Sequence, residues 1–97
     1  MSHFVRFRPG AEADALETRD WYEGRQTRLG AMFGAALDET IANIAEGPLV
    51  FLRVHGDTRR AILNRFPYAV YFRIADNEII VLAVHGRQDP THWQSRT

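Results

Sequence analysis

The stretch YAVYFRIADNEIIVLAVH, residues 68–85, decides the fold. Its first eight residues put Tyr68, Val70, Phe72 and Ile74 on one side of an extended chain and Ala69, Tyr71 and Arg73 on the other. That period of two is the signature of a strand with two different faces. Asp76-Asn77 then supplies a turn pair. Glu78 to His85 is apolar on both faces, which predicts a central strand buried from both sides. Two strands joined by so short a turn must run antiparallel.

Upstream, Arg59 to Arg65 alternates polar and apolar side chains and predicts another strand of the same sheet. Leu49 to Thr58 reads as a connecting loop, with a short extended piece over Val50 to Val54. Before it, Leu29, Met32, Phe33, Ala36, Leu37, Ile41, Ile44 and Ala45 recur at three and four, the stripe of an amphipathic helix. Asp38, Glu39 and Glu46 fall off that stripe, and Gly47-Pro48 stops it. Met32 and Phe33 are read as core residues. A first helix is predicted from about Ala11 to Thr27, with a weak stripe of Ala13, Leu16 and one or both of Trp21 and Tyr22. Leu29-Gly30 marks a tight break, so the two helices form an antiparallel hairpin. His3 to Arg8 reads as a short strand ended by Pro9-Gly10. The polar end GRQDPTHWQSRT is broken by Pro90, and Trp93 is expected to cover a sheet edge.

The order is therefore β-α-α-β-β-β, an α+β fold in which a two-helix hairpin packs on a small, mostly antiparallel sheet. Its 97 residues are read as one domain, residues 1–97. There is no cysteine, which excludes a disulfide scaffold and a cysteine-based zinc site. The four histidines show no helical i, i+4 pair and no carboxylate at ligand spacing, so neither a metal nor another cofactor is expected. The start MSHFVRFRPG lacks the apolar core of a signal peptide, and the longest apolar run, Ile79 to Val84, is far short of the ~20 residues that span a bilayer. A cytoplasmic protein with no membrane partner is the expectation.

Net charge is zero but unevenly spread. Residues 1–52 hold five Arg against eight Asp and Glu, and residues 53–97 hold seven Arg against four, so the halves carry −3 and +3. All twelve basic residues are Arg, whose planar fork suits carboxylates and phosphates. An acidic face and a basic face with different partners follow.

The run R-R-x-x-L-x-R-F-P-Y-x-V-Y-F from Arg59 to Phe72 resembles the RelE/ParE toxin superfamily. So do V-H-G-R-x-x-P-x-x-W from Val84 to Trp93, D-W-Y-E at Asp20 to Glu23, and the helix ending A-E-G-P at Ala45 to Pro48. The resemblance covers nearly the whole chain. It implies the toxin of a type II toxin–antitoxin module, a plasmid-stabilisation protein held in a heteromer by a cognate antitoxin. Such toxins arrest growth either by poisoning DNA gyrase or by cutting ribosome-bound messenger RNA.

RNA cleavage needs a base for the 2′-hydroxyl, cations for the phosphate and an acid for the leaving oxygen. Where the resemblance puts an arginine beside the aromatic that opens the strand, this chain has Ala69. Where it puts a C-terminal aromatic, often tyrosine, this chain has Trp93, whose indole only donates a hydrogen bond. Arg60 and Arg87 retain basic positions. If the chain is a ribonuclease, the candidate catalytic residues are Arg60, Arg65, His85, Arg87 and His92. Near-neutral charge speaks against a ligand held mainly through phosphates. The reading that follows is a ParE-like gyrase inhibitor acting by binding, with target or antitoxin contacts at Arg59, Arg60, Arg65, Tyr71, Arg73, Arg87 and Trp93. The alternatives are a ribosome-dependent messenger-RNA endonuclease and a non-toxic binding module, so whether the protein is an enzyme stays open.

Overall fold

The structure, a computed structural model, describes residues 3–86. The elements are β1 (Phe4–Phe7), α1 (Pro9–Arg25), α2 (Leu29–Glu46), a 3-10 turn (Pro48–Val50), β2 (Leu52–His55), β3 (Thr58–Ile62), β4 (Tyr68–Ala75) and β5 (Glu78–Gly86). The five strands form one sheet in the order β1-β5-β4-β3-β2. β1 pairs with β5 in parallel, and the other pairings are antiparallel. The α+β hairpin-on-sheet architecture expected from the sequence is the one observed. The extended piece expected near Val50 to Val54 becomes an edge strand, β2, because its backbone pairs with β3.

The helices cover one sheet face. Phe33, Leu37 and Ile44 of α2 are buried with Val70 and Phe72 of β4 and Ile79, Val81 and Val84 of β5. Val81 and Val84 share that face although they differ by an odd number of residues. The reason is a bulge: Tyr71 pairs with Ala83 and Phe72 with Val81, so Leu82 is an extra residue in β5. The other face carries a smaller cluster of Ala69, Tyr71 and Ala83, with Val54 packed against it. β5 is therefore central and buried, as its two-sided apolar sequence requires.

α1 is rotated relative to the stripe expected from hydrophobicity. Leu16 and Trp21 are exposed, while Ala11, Asp14, Thr18 and Tyr22 line the inner side. The spacing is still that of a helix face, but one of its positions is a buried carboxylate, which a search for apolar residues passes over. Trp21 instead stacks outside under the Arg25 guanidinium, 4.7 Å from its centroid.

The hairpin turns through Arg28, which has φ 78° and provides no side-chain cap for α2. Glu23 does that work from the preceding helix. Its carboxylate accepts N–H bonds from Arg28 and Gly30, each at 3.0 Å, and so serves the unsatisfied first turn of α2. Gly30 is what lets the helices meet: a Cβ there would lie 2.7 Å from the Arg19 carbonyl oxygen and 2.9 Å from Glu23 Cβ. Backbone cannot yield as a flexible side chain can. Gly30→Ala is expected to destabilise the protein by about 1–3 kcal/mol, the usual range for overpacking, despite alanine's better helix propensity. A thermal midpoint equal to or above that of the parent protein would refute the close-approach account.

Candidate functional site

The open face of the sheet, opposite the helices, carries Arg60, Arg73 and Arg6. Arg60 of β3 pairs in register with Tyr71 of β4, and Leu52 of β2 lies on its other side. Arg73 lies two residues beyond Tyr71 on the same side of β4, opposite Ile80. Arg60 and Arg73 are thus diagonal neighbours, a relation that sets them about 7–8 Å apart. Both are half-buried, and neither has an ion-pair partner among the described residues. Across β5, Arg6 of β1 also aligns with Ile80, and its guanidinium meets Glu78 Oε1 at 3.2 Å. Arg6 belongs to this cationic face although sequence reading did not select it. Only the parallel pairing of β1 with β5 brings it there.

The remaining candidates divide. Arg59 alternates to the helix side, where its Nη1 donates to the carbonyls of Phe51 at 2.7 Å and Leu49 at 3.4 Å. Its guanidinium pins the approach to β2, which gives Arg59 a structural role on the side of the sheet away from Arg60. Tyr71, selected for the same surface, is 1% exposed and packs with Ala69 and Ala83. Its ring is buried within the sheet's open side and presents almost no surface to a partner. Of the acids on the strands and their turns, Glu78 meets Arg6 at 3.2 Å and Asp57 meets Arg53 at 4.0 Å. Arg65 sits in the β3–β4 loop, beside α2 rather than beside Arg60. Arg87, His92 and Trp93 lie outside the described residues.

His85 lies at the end of β5, with Nε2 3.7 Å from Asp14 Oδ1. The other carboxylate oxygen of Asp14 accepts the Val84 N–H at 3.1 Å. Asp14 therefore joins the middle of α1 to the end of the central strand. It lines a hollow of about 330 Å³ with Glu17, Thr18, Tyr68, Val84, His85 and Gly86. Sequence reading missed Asp14; the available signal was a lone carboxylate four residues before Thr18, in phase with Ala11 and Tyr22. Next to this hollow, Tyr22, Phe33, Phe66 and Tyr68 form a ring cluster with centroid separations of 4.9–6.0 Å. Burial, and then the neighbouring Tyr68, raise the Tyr22 phenol above its ordinary 10.0, so it stays neutral at physiological pH. Asp14→Ala would orphan the buried Val84 N–H. A loss of about 1–3 kcal/mol is expected in denaturant unfolding, and an unchanged midpoint would show that the bond contributes nothing.

The two-helix hairpin on a five-stranded sheet and the family match together place this chain among the toxins of the RelE/ParE superfamily. The family of the ParE toxin of type II toxin–antitoxin system, parDE, matches residues 5–90, and this chain belongs to that family. Toxin ParE2 of Mycobacterium tuberculosis (strain ATCC 25618 / H37Rv) is 27% identical over 92 residues, covering 93% of this chain and 88% of the relative. Solved structures agree in fold. The chromosomal ParDE system from P. aeruginosa superposes with a TM-score of 0.77 at 17% identity, over 88% of this chain and 96% of that one. The toxin–antitoxin complex RelBE2 from M. tuberculosis gives 0.62 at 22% identity, over 90% of this chain and 100% of that one. A doubly substituted E. coli RelE in the free state gives 0.61 at 18% identity, over 99% and 94%. No helix among the described residues is long and apolar enough to cross a membrane.

Proposed function

We propose that this toxin arrests growth by binding DNA gyrase, with no turnover of its own, and that a cognate antitoxin neutralises it. The observation that carries the reading is the pair Arg60 and Arg73, set on the open sheet face around Tyr71 without ion-pair partners among the described residues. Two neighbouring guanidinium groups carried on one sheet face suit an acidic protein surface, and Arg is among the residue types that dominate interface energies. Arg87 and Trp93 are assigned to the same function. Among the described ribonuclease candidates, Arg60 and Arg65 lie on different surfaces, which supports the reading further. Arg65 faces a groove on α2, and Ala69, where a phosphate-binding arginine would be needed, is fully buried.

The test is a supercoiling assay with purified gyrase, toxin, and toxin plus antitoxin. Inhibition or cleaved DNA that the antitoxin reverses is the expected result. Normal supercoiling at large toxin excess would overturn the proposal. One observation favours messenger-RNA cleavage as the second reading: a carboxylate beside His85 is the arrangement that orients an acid–base imidazole. Cut ribosome-bound messenger RNA, lost in a His85→Gln, His92→Gln double variant, would establish that branch. No arrest on expression in bacteria would leave a plain binding module.

A further inference from the structure

The chain between α2 and β2 turns at Pro48–Val50 and leaves large apolar side chains in solvent. Leu49 is 72% and Val50 82% exposed, and Leu52, at the start of β2, is 67% exposed. Single exposed apolar residues are ordinary, but three within four consecutive positions form a patch. The turn that carries them is fixed from below. Pro48 is buried, Phe51 meets Phe72 edge to face at 5.9 Å, and Arg59 donates to the carbonyls of Leu49 and Phe51. The turn closes with the Val50 N–H donating to the Gly47 carbonyl at 3.3 Å. Leu49 and Val50 are therefore held outward by a turn that is anchored on the core.

Beside this knuckle lies a hollow of about 290 Å³, whose lining includes Glu46, Pro48, Leu49, Val50 and Ile74. That exceeds the roughly 150 Å³ that accommodates a benzene-sized group. A second hollow of about 150 Å³ shares Ile74 and is lined otherwise by Arg53, Asp57 and Arg59. One flank of the patch thus carries the Glu46 carboxylate, and the other carries two arginines against one aspartate. A knob and a hole on one patch, with opposite charge on its two flanks, is the arrangement that a two-fold contact between identical surfaces requires.

We infer that this surface joins two copies of the chain about a two-fold axis: the Leu49–Val50 knuckle of each copy seats in the larger hollow of the other, and Glu46 of each faces Arg53 of the other. Self-complementarity selects the occupant. A second copy supplies an apolar knob and reverses the order of the charges, so that acid meets base at both ends of the contact. Arg53 can turn to such a partner, because its contact with Asp57 is long, at 4.0 Å, and both side chains are largely exposed. Pairing of edge strands is a poorer route, since the register shift between Arg53 and His55 interrupts the ladder of β2. The interface is small and therefore weak, with a dissociation constant on the order of 10–100 µM. It does not depend on which target the toxin meets.

Sedimentation equilibrium of the full-length toxin without antitoxin, from about tenfold below to about tenfold above that constant, tests this. The parent protein should pass from monomer to dimer across the range. Val50→Asp should weaken self-association at least about tenfold, yet melt as the parent does, because the side chain it replaces is in solvent. Glu46→Arg and Arg53→Glu should each weaken it about three- to tenfold. The first of these places a cation at the C-terminal end of α2, which favours the helix itself, so its effect would not be folding damage. Both changes in one chain restore opposite signs across the axis and should bring dimerisation back to within about threefold of the parent. A parent that stays monomeric throughout would overturn the inference. So would a dimer that persists in Val50→Asp, or a double charge variant that associates no better than the single ones. A monomeric parent whose Val50→Asp form loses antitoxin binding would assign the patch to the antitoxin instead.

Discussion

Phe33→Ala is expected to remove about 3–5 kcal/mol of stability, a large part of what a domain of this size possesses. Phe33 is fully buried and touches three aromatic partners: it stacks on Tyr22 at 5.6 Å and meets Phe66 and Tyr68 edge to face at 5.4 and 5.7 Å. These rings come from α1, α2, the β3–β4 loop and β4, so removing the central one opens a cavity bordered by four parts of the fold. Loss of the edge-to-face contacts adds to the transfer and cavity costs. Urea unfolding monitored by circular dichroism measures the change. A loss below about 1 kcal/mol would mean that the surrounding rings collapse into the space, and the cluster would not be the keystone of the domain.

The second large effect concerns function. On the proposed gyrase-binding reading, Arg60→Glu combined with Arg73→Glu should weaken gyrase inhibition by at least about a hundredfold, because two arginines of the proposed contact face become two repelling carboxylates. The fold should survive, since neither guanidinium forms an ion pair among the described residues and both side chains reach solvent. Arg59→Glu gives the contrasting case. That guanidinium holds the Phe51 and Leu49 carbonyls, so its loss should lower the melting temperature. Dose–response curves in the supercoiling assay, beside thermal melts, separate the two behaviours. Undiminished inhibition by the Arg60, Arg73 variant would remove the open sheet face from the target interface.

Local sequence already determined the elements and their class. The 3.6-residue stripe of α2, the alternation in β4 and the two-sided apolar run of β5 are all written in neighbouring residues, because helix and strand periodicities are local properties of the backbone. Family motifs were equally legible, and they read correctly to a toxin of the RelE/ParE superfamily. The role of one motif was not. Glu23 in D-W-Y-E caps the next helix, a contact that exists only once the hairpin closes on Gly30.

Which side chains share a site was decided by tertiary structure alone. Arg59, Arg60 and Arg65 are near one another in sequence yet point to a loop anchor, the open sheet face and a helix-side groove. The strand pleat reverses Arg59 against Arg60, and the turn at φ 70° carries Arg65 away from both. Arg6 joins Arg73 across Ile80 through pairing between the first and last strands, and Asp14 meets Val84 and His85 across 70 and 71 residues of chain. Short-range pattern sets what each segment becomes. Non-local hydrogen-bond register and the inward-facing carboxylate of α1 set which surface each charge occupies, because those energies exist only between segments that the folded chain has brought together.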